Sequence, residues 1–274
     1  MLIRYLIRAS YGNDSVALIQ WAREEGLSDV VVLYSDTGWS RASWAARVEE
    51  MEAWVRSLGY VPARTESIGM EALLRSKKMW PQRLMQFCTK ELKILPTIAW
   101  LEKNDPEGRA IVLTGVRREE SANRADAPAF KVNSANDGGR CVIQPLATFT
   151  EADRDALLRR AGFEPLPHRS EECKCINSGR KDIVRWDAND IAEIRRIETA
   201  LGFSSKGKPC TMFRPNKFMG ATGIDEIVKW AHSPRGAYRP PEQSVALCGE
   251  DLAEALAGEN LEPGEPCDSG WCER

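Results

Sequence analysis

The chain has 274 residues, of which 43% are hydrophobic and 28% are charged, a composition that describes a soluble globular protein with a real core. Its formal net charge of −2 gives no overall attraction to nucleic acid or to a membrane, so contact with nucleic acid would need a local basic patch. No apolar run reaches membrane-spanning length, and the start of the sequence is unlike a signal peptide. We therefore expect a cytoplasmic protein with no membrane partner.

Short apolar runs alternate with helical patterns along the first two thirds of the sequence. The runs at 2–9, 30–34 and 110–115 are rich in Val, Ile and Leu, and the helical patterns cover 16–25, 43–58, 88–101, 151–161 and 187–201. This alternation predicts an α/β fold with a doubly wound, mostly parallel sheet. Ligands of such sheets bind outside the carboxyl ends of the strands, where the segments that follow the three runs would converge.

The first of these segments is Ser10-Tyr11-Gly12-Asn13-Asp14-Ser15, between the first run and the first helical pattern. The amides at a helix start and the helix dipole attract anions, and the hydroxyls of Ser10 and Ser15 can donate to phosphate oxygens. Gly12 permits close approach of the backbone. Asp14 is unusual in a phosphate site and suggests a bound metal or a nucleotide hydroxyl. The alternative is an ordinary strand-to-helix connection in which Asp14 or Ser15 caps the helix.

Three further segments carry side chains that suit a ligand. Ser35-Asp36-Thr37-Gly38 follows the second run and can bind a ribose or adenine edge, or cap the next helix. In the segment 115–124, Arg117 and Arg124 can form a fork for sulfate or phosphate, or belong to a solvated helix start. The helical pattern at 88–101 begins with Cys88, and a lone helical cysteine is more often a small buried hydrophobe.

The order of these segments resembles the phosphoadenosine phosphosulfate (PAPS) reductase-like family of the adenine nucleotide α-hydrolase (PP-loop ATP pyrophosphatase) superfamily. The loop at 10–15 is similar to the PP-loop Ser-Gly-Gly-x-Asp-Ser, with Tyr11 in place of the first Gly. The segment 88–96 resembles Cys-Thr-x-x-Leu-Lys-x-x-Pro, and 115–124 resembles Gly-x-Arg-x-x-Glu-Ser-x-x-Arg. The resemblance covers roughly residues 2–185.

This resemblance implies an adenine nucleotide α-hydrolase-like fold and a set of site residues. Asp14, Lys90 and Lys93 would be catalytic, and the two lysines would face an anionic substrate. The implied nucleotide-binding residues are Ser10, Gly12, Asn13, Asp14, Ser15, Asp36, Thr37, Gly115, Arg117, Glu120, Ser121 and Arg124.

Eight cysteines in a cytoplasmic chain favour metal binding or redox chemistry over structural disulfides. Cys88, Cys173, Cys175 and Cys210 supply four thiols, the number that a [4Fe–4S] cluster or a structural zinc needs. The resemblance to iron–sulfur APS reductases favours the cluster, with zinc or free thiols as alternatives. The chain departs from those reductases in having one cysteine at 88 rather than two adjacent ones, and Cys-x-Cys rather than Cys-x-x-Cys.

Composition divides the chain into a nucleotide-binding α/β domain (1–167), a largely helical extension rich in cysteine and basic residues (168–240), and an acidic Pro/Gly-rich tail (241–274). The basic residues of the extension could follow a nucleic-acid backbone, although such charge is more often a solvated face. The tail carries Cys267 and Cys272. The resembled reductases have a nucleophilic cysteine on such a tail, within a Glu-Cys-Gly-Leu-His string that is absent here, and an inert tail is the alternative. We also expect a homo-oligomer.

Three functions are compatible with these residues. In the first, Mg-ATP is split between its α and β phosphates, an acceptor is adenylated, and sulfur is delivered through the cluster or a tail cysteine. Asp14 favours this function, because that carboxylate is typical of ATP-using relatives. In the second, Cys267 or Cys272 attacks the sulfur of PAPS or APS, and sulfite is released with a thioredoxin-like reductant. In the third, the chain is a non-catalytic subunit that binds a nucleotide or nucleic acid.

Overall fold

The computed structural model describes residues 2–82, 85–167, 171–214 and 223–239. These residues form two compact units. The first contains 2–70 and Phe87–Cys173, and the second contains the described residues of 71–86 and 174–239. The division into domains at 167 and 240 stays a prediction, and the tail at 241–274 lies outside the described residues.

A six-stranded sheet forms the centre of the first unit, in the order β3-β2-β1-β4-β6-β5. The strands are β1 (Tyr5–Ala9), β2 (Val30–Ser35), β3 (Val61–Thr65), β4 (Ile111–Leu113), β5 (Phe130–Ser134) and β6 (Arg140–Ile143). All neighbouring strands are parallel except β5 and β6, which are antiparallel. The predicted α/β fold with a mostly parallel sheet is therefore confirmed.

Helices connect and follow the strands. They are α1 (Asn13–Glu24), α2 (Ala42–Ser57), α3 (Met70–Lys77), α4 (Phe87–Thr89), α5 (Leu95–Asn104), α6 (Glu151–Arg160), α7 (Arg180–Ile183), α8 (Ala188–Leu201) and α9 (Gly223–His232). A π-helical turn, Lys90–Ile94, lies between α4 and α5, within the helix predicted at 88–101. The elements described after Cys173 are helices, as expected for the extension. In the described part of the chain, no helix has the length and apolarity to cross a membrane.

The two faces of the sheet bury different hydrophobic clusters. Alternate residues of a strand point to opposite faces, and in β1 Ile7 joins one cluster while Leu6 joins the other. The Ile7 cluster includes side chains of α1, α2 and α6, whereas the Leu6 cluster includes Leu101 of α5. Helices therefore cover both faces, which confirms the doubly wound arrangement.

The order of the strands places a topological switch point between β1 and β4. From β1 the chain goes to β2 on one side of it, and it returns at β4 on the other side. In open α/β sheets the ligand crevice lies at this point, outside the carboxyl ends of the strands. The loops that follow β1 and β4 are the segments 10–15 and 115–124 singled out in the sequence.

Candidate functional site

The start of α1 has the geometry of an anion site. Gly12 is its N-cap residue, in an extended conformation and with no side chain to cap the first amides. Ser10 Oγ accepts a hydrogen bond from Gly12 N at 3.3 Å, and Ser15 Oγ donates to Gly12 O at 3.1 Å. Uncapped amides at the start of a helix need acceptors from elsewhere, and a phosphate or sulfate group supplies them.

Tyr11 occupies the position of the first Gly of the PP-loop, and its backbone has φ of 62°. This left-handed region is costly for a bulky side chain, by roughly 1–3 kcal/mol. Its ring is fully buried and stacks on Tyr34, with ring centroids 5.7 Å apart. Burial raises the pKa of the Tyr11 hydroxyl, which stays neutral and has no hydrogen-bond partner among the described residues. Packing thus holds a strained residue where the resembled loop has glycine.

Two side chains of α2 bind the backbone of the same loop. Trp44 Nε1 donates to Ser10 O at 3.1 Å, and Arg47 Nε donates to Tyr11 O at 2.8 Å. Neither residue stands out in the sequence, because a helical pattern gives no sign that one of its side chains binds a distant carbonyl.

Asp14 forms a buried ion pair with Arg117, which joins the loop after β1 to the loop after β4. Arg117 also lies 3.3 Å from Glu119 Oε2, and the same carboxylate oxygen accepts a hydrogen bond from Glu151 N at 2.6 Å, at the start of α6. The two segments predicted to converge at the switch point are therefore in direct contact.

Gly115 is needed for this contact. A Cβ atom at position 115 would lie 2.9 Å from Asp14 O, a backbone atom that cannot move independently of α1. Any larger residue would push the β4 loop away from α1. The glycine of the 115–124 segment thus has a steric role, in addition to its predicted place in the nucleotide site.

The rest of the 115–124 segment folds into two 3₁₀ turns, Arg118–Glu120 and Ala122–Arg124. Arg124 is buried and forms an ion pair with Glu120. Ser121 Oγ is buried, and no described residue bonds to it. A buried hydroxyl without a partner in a predicted binding segment is a position that a ligand or a water can satisfy.

Asn13 has a structural partner. Its side-chain Nδ2 donates to Leu166 O at 2.9 Å, and its Oδ1 accepts from Leu166 N at 2.8 Å. These two bonds attach the chain at Leu166 to the start of α1. Its predicted contact with a nucleotide stays a prediction.

The segment 35–38 turns tightly after β2. Asp36 Oδ1 accepts from Gly38 N at 2.9 Å, and Asp36 O accepts from Ser67 Oγ at 2.8 Å. Asp36 itself is exposed, whereas Thr37 is buried. Ser35 Oγ is buried without a partner in the described part of the chain. The segment lies at the carboxyl end of β2, beside β1, as the fold prediction required.

The π-helical turn carries both predicted catalytic lysines. Lys90 is exposed, whereas Lys93 is buried with its Nζ 3.7 Å from Glu172 Oε2. Burial raises the pKa of the Glu172 carboxyl, and the positive charge of Lys93 opposes that rise. Glu172 is held in place because its carbonyl accepts from Arg41 N at 2.8 Å. Glu172 does not stand out in the sequence, since a single glutamate before a cysteine pair carries no recognisable motif.

The predicted metal ligands are half-buried thiols that form no disulfide. Cys88 and Cys173 belong to the first unit, and Cys175 and Cys210 to the second. Cys175 Sγ accepts from Asn177 N at 3.4 Å, and Cys210 Sγ lies 3.6 Å from Lys78 O. Across the described ranges, no three His, Cys, Asp or Glu side chains are grouped as metal ligands are. The iron–sulfur cluster and zinc therefore stay predictions.

Two of the basic side chains in the extension form hydrogen bonds within the second unit. Lys174 Nζ is buried and binds Glu193 Oε2 at 2.8 Å. Arg180 donates to the carbonyl oxygens of Trp230 and Ala231, at the end of α9. The nucleic-acid partner stays a prediction, and the catalytic candidates Cys267 and Cys272 lie outside the described residues.

Comparison with known families identifies the chain at the level of its family. The model of the phosphoadenosine phosphosulfate reductase domain matches residues 4–176, which include the loop at 10–15, the lysine turn and the 115–124 segment. The chain belongs to this family. The predicted PAPS reductase-like resemblance is therefore confirmed, and the PAPS reductase domain match ends just beyond Cys175.

One curated relative is an uncharacterised 37.8 kDa protein in the gpa 5′ region of Escherichia phage 186. It is 29% identical over 155 residues, which are 50% of this chain and 44% of the phage protein. The match therefore spans less than half of the length of that relative.

Solved structures with a similar fold include PAPS reductase from Candida auris in a phosphate complex, at 14% identity and a TM-score of 0.42, covering 60% of this chain and 76% of that chain. NH3-dependent NAD synthetase from Campylobacter jejuni has 12% identity and a TM-score of 0.40, covering 72% and 85%. FMN adenylyltransferase from Candida glabrata, with FMN and an ATP analogue, has 13% identity and a TM-score of 0.38, covering 57% and 47%.

Proposed function

We propose that this PAPS reductase-family protein binds ATP at the start of α1, splits it between the α and β phosphates, and so activates an acceptor for sulfur transfer. The observation that carries the proposal is the buried Asp14–Arg117 pair, which lies beside the uncapped amides of α1 at the switch point. A carboxylate in contact with a guanidinium at a phosphate site offers one ligand for a cation and one for an anion.

When ATP binds, Asp14 and Arg117 would contact different parts of the ligand. Asp14 would supply a carboxylate oxygen, the kind of ligand preferred by the Mg²⁺ that accompanies a triphosphate. Arg117 would then exchange the carboxylate for phosphate oxygens, which a guanidinium can bind through two N–H groups at once. The hydroxyls of Ser10 and Ser15 and the first amides of α1 would complete the phosphate contacts.

Lys93 and Lys90 would stabilise the negative charge that develops on the leaving pyrophosphate. The α-phosphorus would gain a bond to an oxygen of the acceptor and lose its bond to the bridging oxygen, which leaves with pyrophosphate. Asp36 and Thr37 would bind the ribose or the adenine edge.

A second candidate function is the reduction of PAPS or APS. It is favoured by the internal neutralisation of Asp14, because a site whose carboxylate is already paired with Arg117 can accept a sulfated nucleotide without a metal. A thiolate of Cys267 or Cys272 would form a bond to the sulfur, and the bond from that sulfur to the phosphate oxygen would break. A thioredoxin-like dithiol would then reduce the enzyme thiosulfonate and release sulfite.

The deciding experiment is an anaerobic assay of the full chain with ATP, APS and PAPS, which measures pyrophosphate and sulfite. We expect pyrophosphate release from Mg-ATP, and a loss of about 100-fold or more in Asp14→Asn, since the substitution removes a charge that contacts the phosphates. Asp126→Asn is the matched control, because Asp126 is exposed. Circular dichroism of both variants separates loss of activity from loss of fold.

Other outcomes would select the other functions. Sulfite release from PAPS or APS that disappears in Cys267→Ser or Cys272→Ser, with no turnover of ATP, would replace the first proposal by the second. Binding of ATP with release of neither product would favour the non-catalytic subunit.

A further inference from the structure

We propose that Trp44 and Arg47 of α2 are positioning residues that hold the loop at 10–15 in its binding conformation before any ligand arrives. This inference rests on the proposed nucleotide site and extends it to a helix that carries no part of the resembled motifs. The two side chains form a stacked pair, with the Arg47 guanidinium carbon 5.4 Å from the centroid of the Trp44 ring.

The pair binds consecutive carbonyl groups of one loop. Trp44 Nε1 donates to Ser10 O, and Arg47 Nε donates to Tyr11 O, at 3.1 and 2.8 Å. Trp44 is buried, and its ring is fixed among the side chains between α2 and the sheet. Because residues three apart on a helix are neighbours, one helical turn presents both donors to the loop.

Holding these carbonyls determines where the loop amides point. In a trans peptide the carbonyl oxygen and the following N–H lie on opposite sides, and the described chain has no cis peptide bond. The N–H groups of Tyr11 and Gly12 are therefore turned away from α2. Gly12 N donates to Ser10 Oγ, and within the described chain that hydroxyl donates to no acceptor. It is available to donate to a bound anion.

The positive φ of Tyr11 explains why the loop needs the two bonds from Trp44 and Arg47, a pair that we call the clamp. A glycine adopts this conformation freely, whereas a tyrosine is strained in it. With Tyr11 in place of glycine, the loop would relax towards a negative φ and rotate its carbonyls and amides. The stacked Trp44–Arg47 pair, together with the packing of the Tyr11 ring on Tyr34, opposes that relaxation.

The test measures binding of inorganic pyrophosphate and of adenosine to Trp44→Phe and Arg47→Met by calorimetry. Each variant removes one donor to the loop and keeps an apolar side chain of similar size. We expect each to weaken pyrophosphate binding by about tenfold, the effect of one lost positioning hydrogen bond, and to leave adenosine binding unchanged. Hydrogen exchange of the amides at 10–15 should become faster.

Two residues of the same helix provide matched controls. Trp54 packs edge-on against Phe163, and Arg56 is exposed beside Glu52. Trp54→Phe and Arg56→Met should match the wild type in pyrophosphate binding and in loop exchange. A general loss of stability in α2 would affect all four variants, whereas a positioning role affects only the clamp.

The outcomes are distinct. Unchanged pyrophosphate affinity in both clamp variants, or equal losses in the controls, would overturn the inference. If the wild-type protein binds neither pyrophosphate nor ATP, APS or PAPS, the proposed function fails. The clamp is then judged by amide exchange alone, and unchanged exchange at 10–15 would refute it.

Discussion

Tyr11 shows how one residue can be both strained and stabilising. Its backbone lies in the left-handed region, yet its ring is fully buried in the cluster between the sheet and α1 and α2. The stacked neighbour Tyr34 differs in one respect, since its hydroxyl lies 2.9 Å from Ser40 Oγ. The two tyrosines therefore form a natural comparison of a buried hydroxyl with and without a partner.

We expect Tyr11→Phe to raise the free energy of unfolding by up to about 1 kcal/mol, because it removes a buried polar group that makes no hydrogen bond. Tyr34→Phe should instead lower it by about 1 kcal/mol, through the lost bond to Ser40. Urea denaturation monitored by fluorescence measures both. A destabilising Tyr11→Phe would mean that the hydroxyl has a bound partner, such as a water.

The sequence predicts part of the site at this scale. Asp14 and Arg117 are more than a hundred positions apart, yet both follow apolar runs, and the rule that strand ends converge predicts that they meet. Trp44, Arg47 and Glu172 could not be found in this way. Their contribution depends on which way a helix or loop presents one side chain, and hydrophobic periodicity carries no such information.

At the scale of elements, a buried ion pair joins α5 to β6. Asp105 is the C-cap residue of α5 and accepts hydrogen bonds from the amides of Arg109 and Ala110, while its Oδ2 lies 2.7 Å from Arg140 Nε. Burial alone would raise the pKa of Asp105, but the bonds from Arg140 and from the two amides outweigh it and hold the pKa below its usual value.

This shift predicts a pH-dependent stability. A carboxyl whose pKa is lowered by folding stabilises the protein above its unfolded pKa, and that contribution is lost as the pH falls through the folded pKa. Asp105→Asn should lower the free energy of unfolding at pH 7 by about 3 kcal/mol, since it leaves Arg140 buried without its counter-charge. The difference in the free energy of unfolding between Asp105→Asn and the wild type should become smaller as the pH falls below the usual pKa of an aspartate.

Denaturation at a series of pH values checks this prediction. Glu107→Gln is the control from the same loop, because Glu107 pairs with Arg109 on the surface, where both side chains are more than half exposed. It should cost well under 1 kcal/mol at every pH. A difference for Asp105→Asn that stays constant down to acid pH would show that its charge does not stabilise the fold.

The predicted elements were those with long, regular patterns. Continuous apolar runs contain β1, β2 and β4, and clear helical periods mark α1, α2, α6 and α8. The type of each of these elements could therefore be predicted from its pattern. β3 contains Pro62 and is mostly exposed or half-buried, and the edge strand β5 exposes Phe130 and Val132. Strands that are short, polar or at an edge lose the alternation that identifies them.

At the scale of the whole molecule, the cysteines test the predicted cofactor. Two of the four predicted ligands come from each unit. We expect anaerobically purified protein to be brown and to contain iron and sulfide, and Cys175→Ser to lose them. Cys141→Ser is the control, because Cys141 lies in β6 and outside the predicted set. Zinc without iron would contradict the cluster, and the absence of both would contradict any metal at these thiols.

The central position of β1 has a consequence for how the chain is made. One edge of β1 pairs with β2, which follows some 25 residues later in the chain. The other edge pairs with β4, which follows roughly 100 residues later. During synthesis, a half-sheet of β3, β2 and β1 therefore precedes the strand that covers its open side. Leu6 and Ile7, which are fully buried in the finished sheet, pair with β4 and so belong to that open edge. The crevice that brings Asp14 to Arg117 can therefore form only after β4 has been made, and premature association of nascent chains would occur at the open edge of β1.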